Sequence, residues 1–253
     1  MANYDSYVIC TSPRSGSTLL CKLLAATDVA GKPESYFHRP SVDDWAAELG
    51  ITPEETATER EALDTVFRAA VLEGSNGTGM FGLRLQGHSF GFFREKLALL
   101  FPEEPSDAGR FKRAFGTTLF VHLTRPDKIE QAVSCVKAEQ TGLWHVAPDG
   151  TELERLAPHR EPSYDREKIR AQVEVMTAHD SDWNNWFARE GIDPVRIRYD
   201  DLSADPLKVL RNLLTCLGLD RDAADGVEPG VRRLADSTNR DWVARYRSGR
   251  GPI

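Results

Sequence analysis

Cysteine is scarce in this chain and long apolar runs are missing, and each shortage excludes a class of protein. The four cysteines among the 253 residues are Cys10, Cys21, Cys135 and Cys216. They lie far apart, with no Cys-x-x-Cys pair and no histidine at zinc-ligand spacing, so we predict reduced thiols in an apolar core and no metal site. The longest apolar run, residues 97–101, is far too short to span a bilayer.

Two further features are missing: a targeting segment and a surplus of positive charge. Residues 1–5 contain neither the basic nor the apolar part of a secretory signal peptide, so we predict a cytoplasmic protein without a membrane span. The formal net charge is −7 at pH 7, which argues against a nucleic-acid partner. The composition is 40% hydrophobic and 28% charged, as in globular proteins, and the length suits one domain over residues 1–253.

Short apolar and β-branched runs alternate with amphipathic segments along the chain. The runs that predict strands are residues 7–11, 80–85, 118–123 and 195–199. Helical spacing of apolar residues follows at residues 19–24, after Asp127, over about residues 165–190 and from Asp205 to Gly218. Strands that alternate with helices predict an α/β fold with a parallel sheet covered on both faces.

Two segments differ from this alternation. Residues 143–164 are rich in Pro, Gly, His and charge, and we predict a long surface loop there. Long loops in compact domains usually serve a site. The acidic segment of residues 53–64 is interpreted as the solvated face of a helix, without a function.

A turn of small residues, residues 12–18, joins the first predicted strand to the first predicted helix. Its small residues are Ser15, Gly16, Ser17 and Thr18. They let the backbone wrap closely round an anion, and their N–H groups, their hydroxyls and the helix dipole favour a phosphate or sulfate. Arg14 adds a positive charge. No lysine follows Gly16, so the turn is not the nucleoside-triphosphate motif, and a serine-rich helix cap is the alternative interpretation.

A second anion site is predicted at the same edge of the sheet. Arg125 ends the third predicted strand, and Gln131 and Ser134 are polar residues within the apolar stripe of the next helix. An arginine and a hydroxyl that converge on one phosphate form a charge-assisted site. A surface ion pair of Arg125 is the alternative, and the neighbouring turn of residues 12–18 favours the anion site.

Taken together, these two segments resemble the cofactor motifs of the sulfotransferases that use 3′-phosphoadenylyl sulfate (PAPS). The closest likeness is to the mycobacterial trehalose 2-sulfotransferase family. The likeness covers nearly the whole chain in the same order and extends to residues 31–37, 140–144, 186–194, 233–236, Trp242 and residues 245–247.

This resemblance implies a P-loop-like three-layer α/β fold, with a mainly parallel central sheet flanked by helices, and a homodimer. It implies that residues 14–18 hold the 5′-phosphosulfate and that Arg125 and Ser134 hold the 3′-phosphate. The interval from Arg125 to Ser134 is one residue longer than in the wider sulfotransferase family. Arg233 would help to close over the cofactor. Adenosine 3′,5′-bisphosphate would be the product, and no metal is implied.

The resemblance also places the acceptor at residues 31–38. The trehalose family has its catalytic base in a segment of the form Gly-x-Pro-x-Glu-aromatic-Phe, whereas here a serine, Ser35, stands at the expected place and Glu34 comes one residue early. Neighbouring residues of an extended segment point to opposite sides, so Glu34 and His38 are rival bases. Arg14 would stabilise the leaving phosphate. The predicted acceptor-binding residues are Pro33, Glu34, Ser35, Tyr36, Phe37 and His38.

The acceptor and the reaction class retain alternatives. We predict a hydroxylated acceptor, such as a saccharide or a glycolipid head group, with trehalose not singled out. Lys32, Arg39 and Arg84 are either acceptor contacts or ordinary surface charge. A small-molecule P-loop kinase and a non-catalytic nucleotide-binding module are the competing functions.

Overall fold

The computed structural model describes residues 4–52, 58–231, 234 and 236–249. The strands in these ranges are β1 Ser6–Thr11, β2 Phe81–Gln86, β3 Thr118–Thr124, β4 Leu143–Val146, β5 Glu152–Arg155 and β6 Val195–Arg198. The helices are α1 Ser17–Ala25, α2 Val42–Glu48, α3 Glu59–Ser75, α4 Gly87–Leu100, α5 Asp107–Phe115, α6 Lys128–Thr141, α7 Arg166–Glu190, α8 Tyr199–Ala204, α9 Pro206–Leu217 and α10 Ser237–Arg247, with a 3₁₀ turn at Arg221–Ala224.

Four parallel strands form the central sheet in the order β2-β1-β3-β6. Strand β1 lies between β2 and β3, so that Val8 is opposite both Leu83 and Phe120. The chain passes from β1 to β2 on one side and then crosses to β3 on the other. In open α/β sheets, ligands bind at the carboxyl ends of the strands where the order reverses in this way. The fold therefore places a crevice beyond Thr11 and Thr124.

Both faces of the sheet are buried, as its apolar sequence requires. On one face, Val8 and Cys10 pack in a cluster with side chains from α2, α3, α4, α5 and α7. On the other face, Tyr7 and Ile9 pack against leucines of α1 and α9. The predicted α/β class, with a mainly parallel sheet between two helical layers, is confirmed.

The predicted helix boundaries follow from local chemistry. Asp165 caps α7, and Gly191 ends it in the left-handed conformation. Asp205 caps α9, Pro206 occupies its first turn, and Gly218 ends it. Each of these ends satisfies backbone groups that the helix leaves unpaired. The predicted last strand is one residue too long, because Tyr199 already begins α8.

Two predictions need correction. Residues 143–164 are not a loop throughout, since β4 and β5 form an antiparallel hairpin whose strands are too short to show a period in the sequence. Cys216 is exposed, whereas the other three cysteines are buried. The helical period places Cys216 outside the inward face of α9, although Leu217, which follows it directly, is buried.

The acidic segment of residues 53–64 is helical from Glu59 onward. The described part of residues 53–64 begins α3, whose first residues are exposed and are capped by Thr58, while residues 53–57 lie outside the described residues.

No helix in the described part of the chain is long and apolar enough to cross a membrane.

Phe37 anchors the segment of residues 31–38 in the core. Its ring is 1% exposed and packs edge-on against Trp45, with the centroids 5.0 Å apart. It also packs against Phe67 and Phe93, at centroid distances of 4.7 and 5.1 Å. Aromatic pairs at such distances add to the free energy gained by burial. The segment is therefore fixed to α2, α3 and α4.

We expect Phe37→Ala to lower the free energy of unfolding by about 3–5 kcal/mol, because it leaves a cavity among aromatic rings. Urea denaturation would measure this loss. Leu72→Ala is the control, since Leu72 is 77% exposed on α3 and its loss should change the free energy of unfolding by less than about 0.5 kcal/mol. Equal stabilities of the two variants would contradict the packing role of Phe37.

Candidate active site

The turn after β1 rests on buried hydroxyl groups. The Thr11 hydroxyl donates to the carbonyl of Leu123 at 2.8 Å and lies 2.6 Å from the hydroxyl of Ser15. The indole of Trp183 donates to the carbonyl of Thr11 at 3.0 Å. These bonds join the ends of β1 and β3 to α7. The Ser15 side chain, which we predicted to bind the anion, is buried beneath the turn and does not line the cleft.

Gln131 fixes the other half of the turn. Its side-chain amide donates to the hydroxyl of Ser12 at 2.9 Å and to the carbonyl of Pro13 at 2.6 Å. The polar residue that interrupts the apolar stripe of α6 thus holds the loop in place. It binds one side-chain hydroxyl and one backbone carbonyl of the turn.

Gly16 is the residue on which the shape of the turn depends. Its φ of 90° lies in the left-handed region, and a Cβ atom there would lie 2.7 Å from a ring carbon of Tyr199. Gly16 gives α1 no side-chain cap, and the first turn of α1, which is fully described, contains no acidic residue. Gly16, Ser17 and Thr18 line the cleft. The N-terminus of α1 is therefore available to an anion from the cleft.

Arg14 belongs to this turn, and its side chain contacts the second predicted anion site. Its Nε donates to the hydroxyl of Ser134 at 3.0 Å, and one terminal nitrogen donates to the carbonyl of Trp144 at 2.6 Å. Burial lowers the pKa of Arg14, and the nearby Arg125 acts in the same direction. Two cations held this close in a partly buried site favour a bound anion.

Arg125 approaches from the end of β3. Its side chain is 6% exposed and stacks on the ring of Tyr199, 4.4 Å from the centroid. One terminal nitrogen donates to the carbonyl of Arg14 at 3.4 Å and the other to the carboxylate of Glu130 at 2.9 Å. Its Nε is buried without a hydrogen-bond partner. Arg14, Arg125 and Ser134, predicted from separate segments, are thus brought together.

Arg84, on β2, connects this site with the predicted acceptor segment. It donates to the hydroxyl of Thr18 at 2.9 Å and to that of Ser35 at 2.7 Å. A terminal nitrogen lies 3.6 Å from the carboxylate of Glu34. The side chain is only 15% exposed. The sequence left Arg84 open between an acceptor contact and surface charge, and its burial and bonds place it in the site.

The segment of residues 31–38 runs beside β2. The carbonyl of Glu34 accepts from the N–H of Arg84 at 3.0 Å, and Glu34 forms a parallel bridge with Leu83. Arg84 reaches both Glu34 and Ser35. Glu34 therefore still lines the cleft, although it comes one residue before the position expected for the base. Of the predicted acceptor-binding residues, those that line the cleft are Glu34, Ser35, Tyr36 and His38.

Pro33 and Phe37 are buried and lie outside this lining. Pro33 packs against Gly82, where a Cβ atom would meet it at 2.9 Å. Phe37 belongs to the aromatic core described above. Pro33 and Phe37 thus attach the segment of residues 31–38 to the rest of the fold.

Histidines occupy the walls of the cleft. Burial and the charge of Arg84 lower the pKa of His38, whose ring packs edge-on against His88 at 4.8 Å. Burial, followed by the neighbouring His38 and His179, lowers the pKa of His88 to about 4. His145, on β4, lies 3.1 Å from the hydroxyl of Thr18. The sequence indicated that residues 143–164 serve a site, but gave no signal for His145 itself.

One cleft joins the anion turn to the acceptor segment. Its volume is about 1440 Å³, and it runs from Arg125 and the turn past Arg84 to His38. Arg233, which the resemblance places over the cofactor, lies outside the described residues, while Val231 and Leu234 line the cleft. A single cavity thus joins an anion site to a segment that carries a carboxylate and an imidazole.

The sequence of the chain matches a known protein family. The sequence profile described as Stf0 sulphotransferase matches residues 6–249. The chain belongs to this family. As a member, this Stf0 sulphotransferase is an enzyme, so the kinase and the non-catalytic module are set aside. The family resemblance found in the sequence is confirmed.

Curated relatives of this Stf0 sulphotransferase include two mycobacterial enzymes. The trehalose 2-sulfotransferase of Mycobacterium tuberculosis is 29% identical over 262 residues, which cover 96% of this chain and 94% of that protein. The trehalose 2-sulfotransferase of Mycolicibacterium smegmatis is 27% identical with the same coverage. A solved sulfotransferase from Alicyclobacillus acidocaldarius aligns over 100% of this chain and 98% of its own, at 15% identity and a TM-score of 0.45.

We expect Gly16→Ala to destabilise the enzyme in two ways. Left-handed backbone costs a residue with a Cβ about 1–3 kcal/mol, and the new atom also collides with Tyr199. Gly50→Ala is the matched control, because Gly50 has a φ of 67° but nothing within 4 Å of a built Cβ. The thermal midpoint should fall further for Gly16→Ala, and equal falls would show that the contact with Tyr199 is unimportant.

Proposed function

We propose that this enzyme transfers the sulfuryl group of PAPS to a hydroxyl of a carbohydrate acceptor. The observation that carries the proposal is the convergence of Arg14, Arg125 and Arg84 around the N-terminus of α1. Two of these arginines face an anion site, and the third connects that site with Glu34. An anionic nucleotide and a neutral hydroxylated acceptor suit the two ends of this cleft.

The residues present fit a nucleotide with two anionic ends. Residues 14–18 would hold the 5′-phosphosulfate by their N–H groups and by Arg14, as anions are held at helix N-termini. Arg125 and Ser134 would hold the 3′-phosphate. The lowered pKa of Arg14 supports this assignment, because burial and the charge of Arg125 disfavour the guanidinium until an anion balances it. When bound, PAPS supplies an activated sulfuryl group.

The transfer is an in-line displacement. A bond forms between the acceptor oxygen and sulfur, while the bond from sulfur to the bridging oxygen breaks and its electron pair stays on the leaving phosphate. Arg14 and the first turn of α1 stabilise the charge that develops there. Glu34 takes the proton of the acceptor hydroxyl. Arg84 positions Glu34, because it binds Thr18 of the turn and lies within ion-pair distance of the carboxylate.

His38 is the second candidate for the base. It lines the same cleft, and its lowered pKa keeps the imidazole neutral and able to accept a proton at pH 7. Glu34 is preferred, because Arg84 ties Glu34 but not His38 directly to the anion turn. The hydroxyl of Ser35, which stands where the trehalose family has its base, is engaged by Arg84 and cannot replace a carboxylate.

The acceptor is proposed from the relatives and from the composition of the cleft. Both curated relatives are named for trehalose, which favours a saccharide. The segment of residues 31–38 departs from the trehalose pattern, so a related saccharide or a glycolipid head group is included in the proposal. A homodimer, as the resemblance implies, stays a prediction.

Adenosine 3′,5′-bisphosphate should stabilise the enzyme against heat. A ligand at a hundredfold excess over its Kd adds about 2.7 kcal/mol when it binds only the folded state. Arg125→Ala should abolish the shift, because it removes the cation for the 3′-phosphate. Arg113→Ala should retain the shift, since Arg113 is 61% exposed on α5, away from the cleft. A larger shift with ATP–magnesium than with the bisphosphate would contradict the proposed donor.

Glu34→Gln should reduce kcat by about 10²–10⁴-fold, because the acceptor hydroxyl loses its base, while the thermal shift with the bisphosphate persists. Transfer of labelled sulfate from PAPS to trehalose and to a panel of other saccharides measures kcat. His38→Asn is the paired variant and should have the smaller effect. The opposite order of the two variants would identify His38 as the base.

A further inference from the structure

The hairpin of β4 and β5 places an imidazole directly against the anion turn. His145 Nε2 lies 3.1 Å from the hydroxyl oxygen of Thr18 and 3.3 Å from the carboxylate of Glu154. The His145 side chain is 25% exposed and lines the cleft. The hairpin is held there by Arg14, which donates to the carbonyl of Trp144 and lies over its ring. His145 takes no part in the proposed transfer described above.

The charges that face His145 come from four elements and are mostly positive. Arg14 faces it from the turn, Arg84 from β2, and Lys22 from α1. Glu154, on β5, is the carboxylate beside it. Burial, and then these three cations, lower the pKa of His145 to about 3. The ring is therefore neutral at physiological pH in spite of its acidic neighbour.

The hydroxyl of Thr18 is shared between His145 and Arg84. A threonine hydroxyl has one hydrogen and two acceptor positions, and a guanidinium can only donate. Arg84 therefore occupies one acceptor position of Thr18. A neutral imidazole with an unprotonated Nε2 takes the hydroxyl hydrogen. An imidazolium instead shares its Nε2 hydrogen between the carboxylate of Glu154 and the second acceptor position of Thr18, and the hydroxyl hydrogen is then left for an anion at the turn.

An anion bound at the turn would balance the charges of Arg14 and Arg84, which oppose the protonation of His145 in the free enzyme. We propose that His145 and Glu154 form a proton-accepting pair that becomes charged when the anionic donor binds, so that Thr18 turns its hydroxyl hydrogen to the bound anion. His145 is thus a positioning residue that acts through Thr18. This inference rests on the proposed function, because the anion in question is the nucleotide donor.

The sign of the effect follows from linkage. The pKa of His145 is about 3 in the free enzyme and higher in the complex, so binding takes up a proton in the pH range between the two values. The affinity for the nucleotide therefore gains up to about a factor of ten for each unit by which the pH falls within this range. The phosphates of the free ligand titrate as well, and their contribution is the same for every variant of the enzyme.

Calorimetric titration of the whole enzyme with adenosine 3′,5′-bisphosphate, in two cationic buffers of different ionisation enthalpy between pH 5.5 and 7, would count the protons taken up. The wild type should take up as much as about one proton more than His145→Gln. His159→Gln is the matched control, because His159 is 60% exposed and pairs with Glu161, and it should behave as the wild type does. Circular dichroism would verify that the variants are folded.

Equal proton uptake by the wild type and His145→Gln would overturn this inference alone. Glu154→Gln provides a second test should His145→Gln fail to fold, since loss of the carboxylate should reduce the uptake and an unchanged value would also overturn the inference. Absence of bisphosphate binding in the wild type would reject the proposed donor, and the inference with it.

Discussion

The site depends on keeping two arginine side chains close together in a partly buried crevice. Arg14 and Arg125 oppose each other's charge, and the surrounding structure offsets the cost with neutral and negative partners. Tyr199 stacks on Arg125, Glu130 binds it, and backbone carbonyls accept hydrogen bonds from both arginines. The two arginines thus contact the turn, the β4–β5 hairpin and the start of α8. Each of these segments would be less constrained without the two side chains.

Most of the framework could be predicted from the sequence, because its signals are local. Strands buried on both faces are continuous apolar runs, and caps such as Asp165 and Asp205 mark the beginnings of helices. The turn of residues 12–18 was also a local signal, since small residues between a strand and a helix suit an anion site or a helix cap. Arg125 was found because parallel strands end at one edge of a sheet, so that residues far apart in sequence meet there.

The remainder could not be predicted, since it depends on tertiary packing. Arg84 lies in a strand whose neighbours are apolar, and only the position of residues 31–38 beside β2 makes it part of the site. His145 was hidden because four-residue strands carry too little pattern to show that a hairpin folds back over the turn. The sequence does not show which side chains of residues 31–38 line the cleft and which, such as Phe37, anchor the segment in the core.

Arg14 holds the β4–β5 hairpin by the carbonyl of Trp144, and a carbonyl is present whatever the side chain at that position. This hydrogen bond would therefore survive a substitution of Trp144, whereas the contact of Arg14 with the Trp144 ring would be lost. The hairpin's tip, residues 147–151, is largely exposed to solvent. An exchange of the hairpin between relatives would therefore alter the surroundings of the anion turn and leave the sheet beneath it in place.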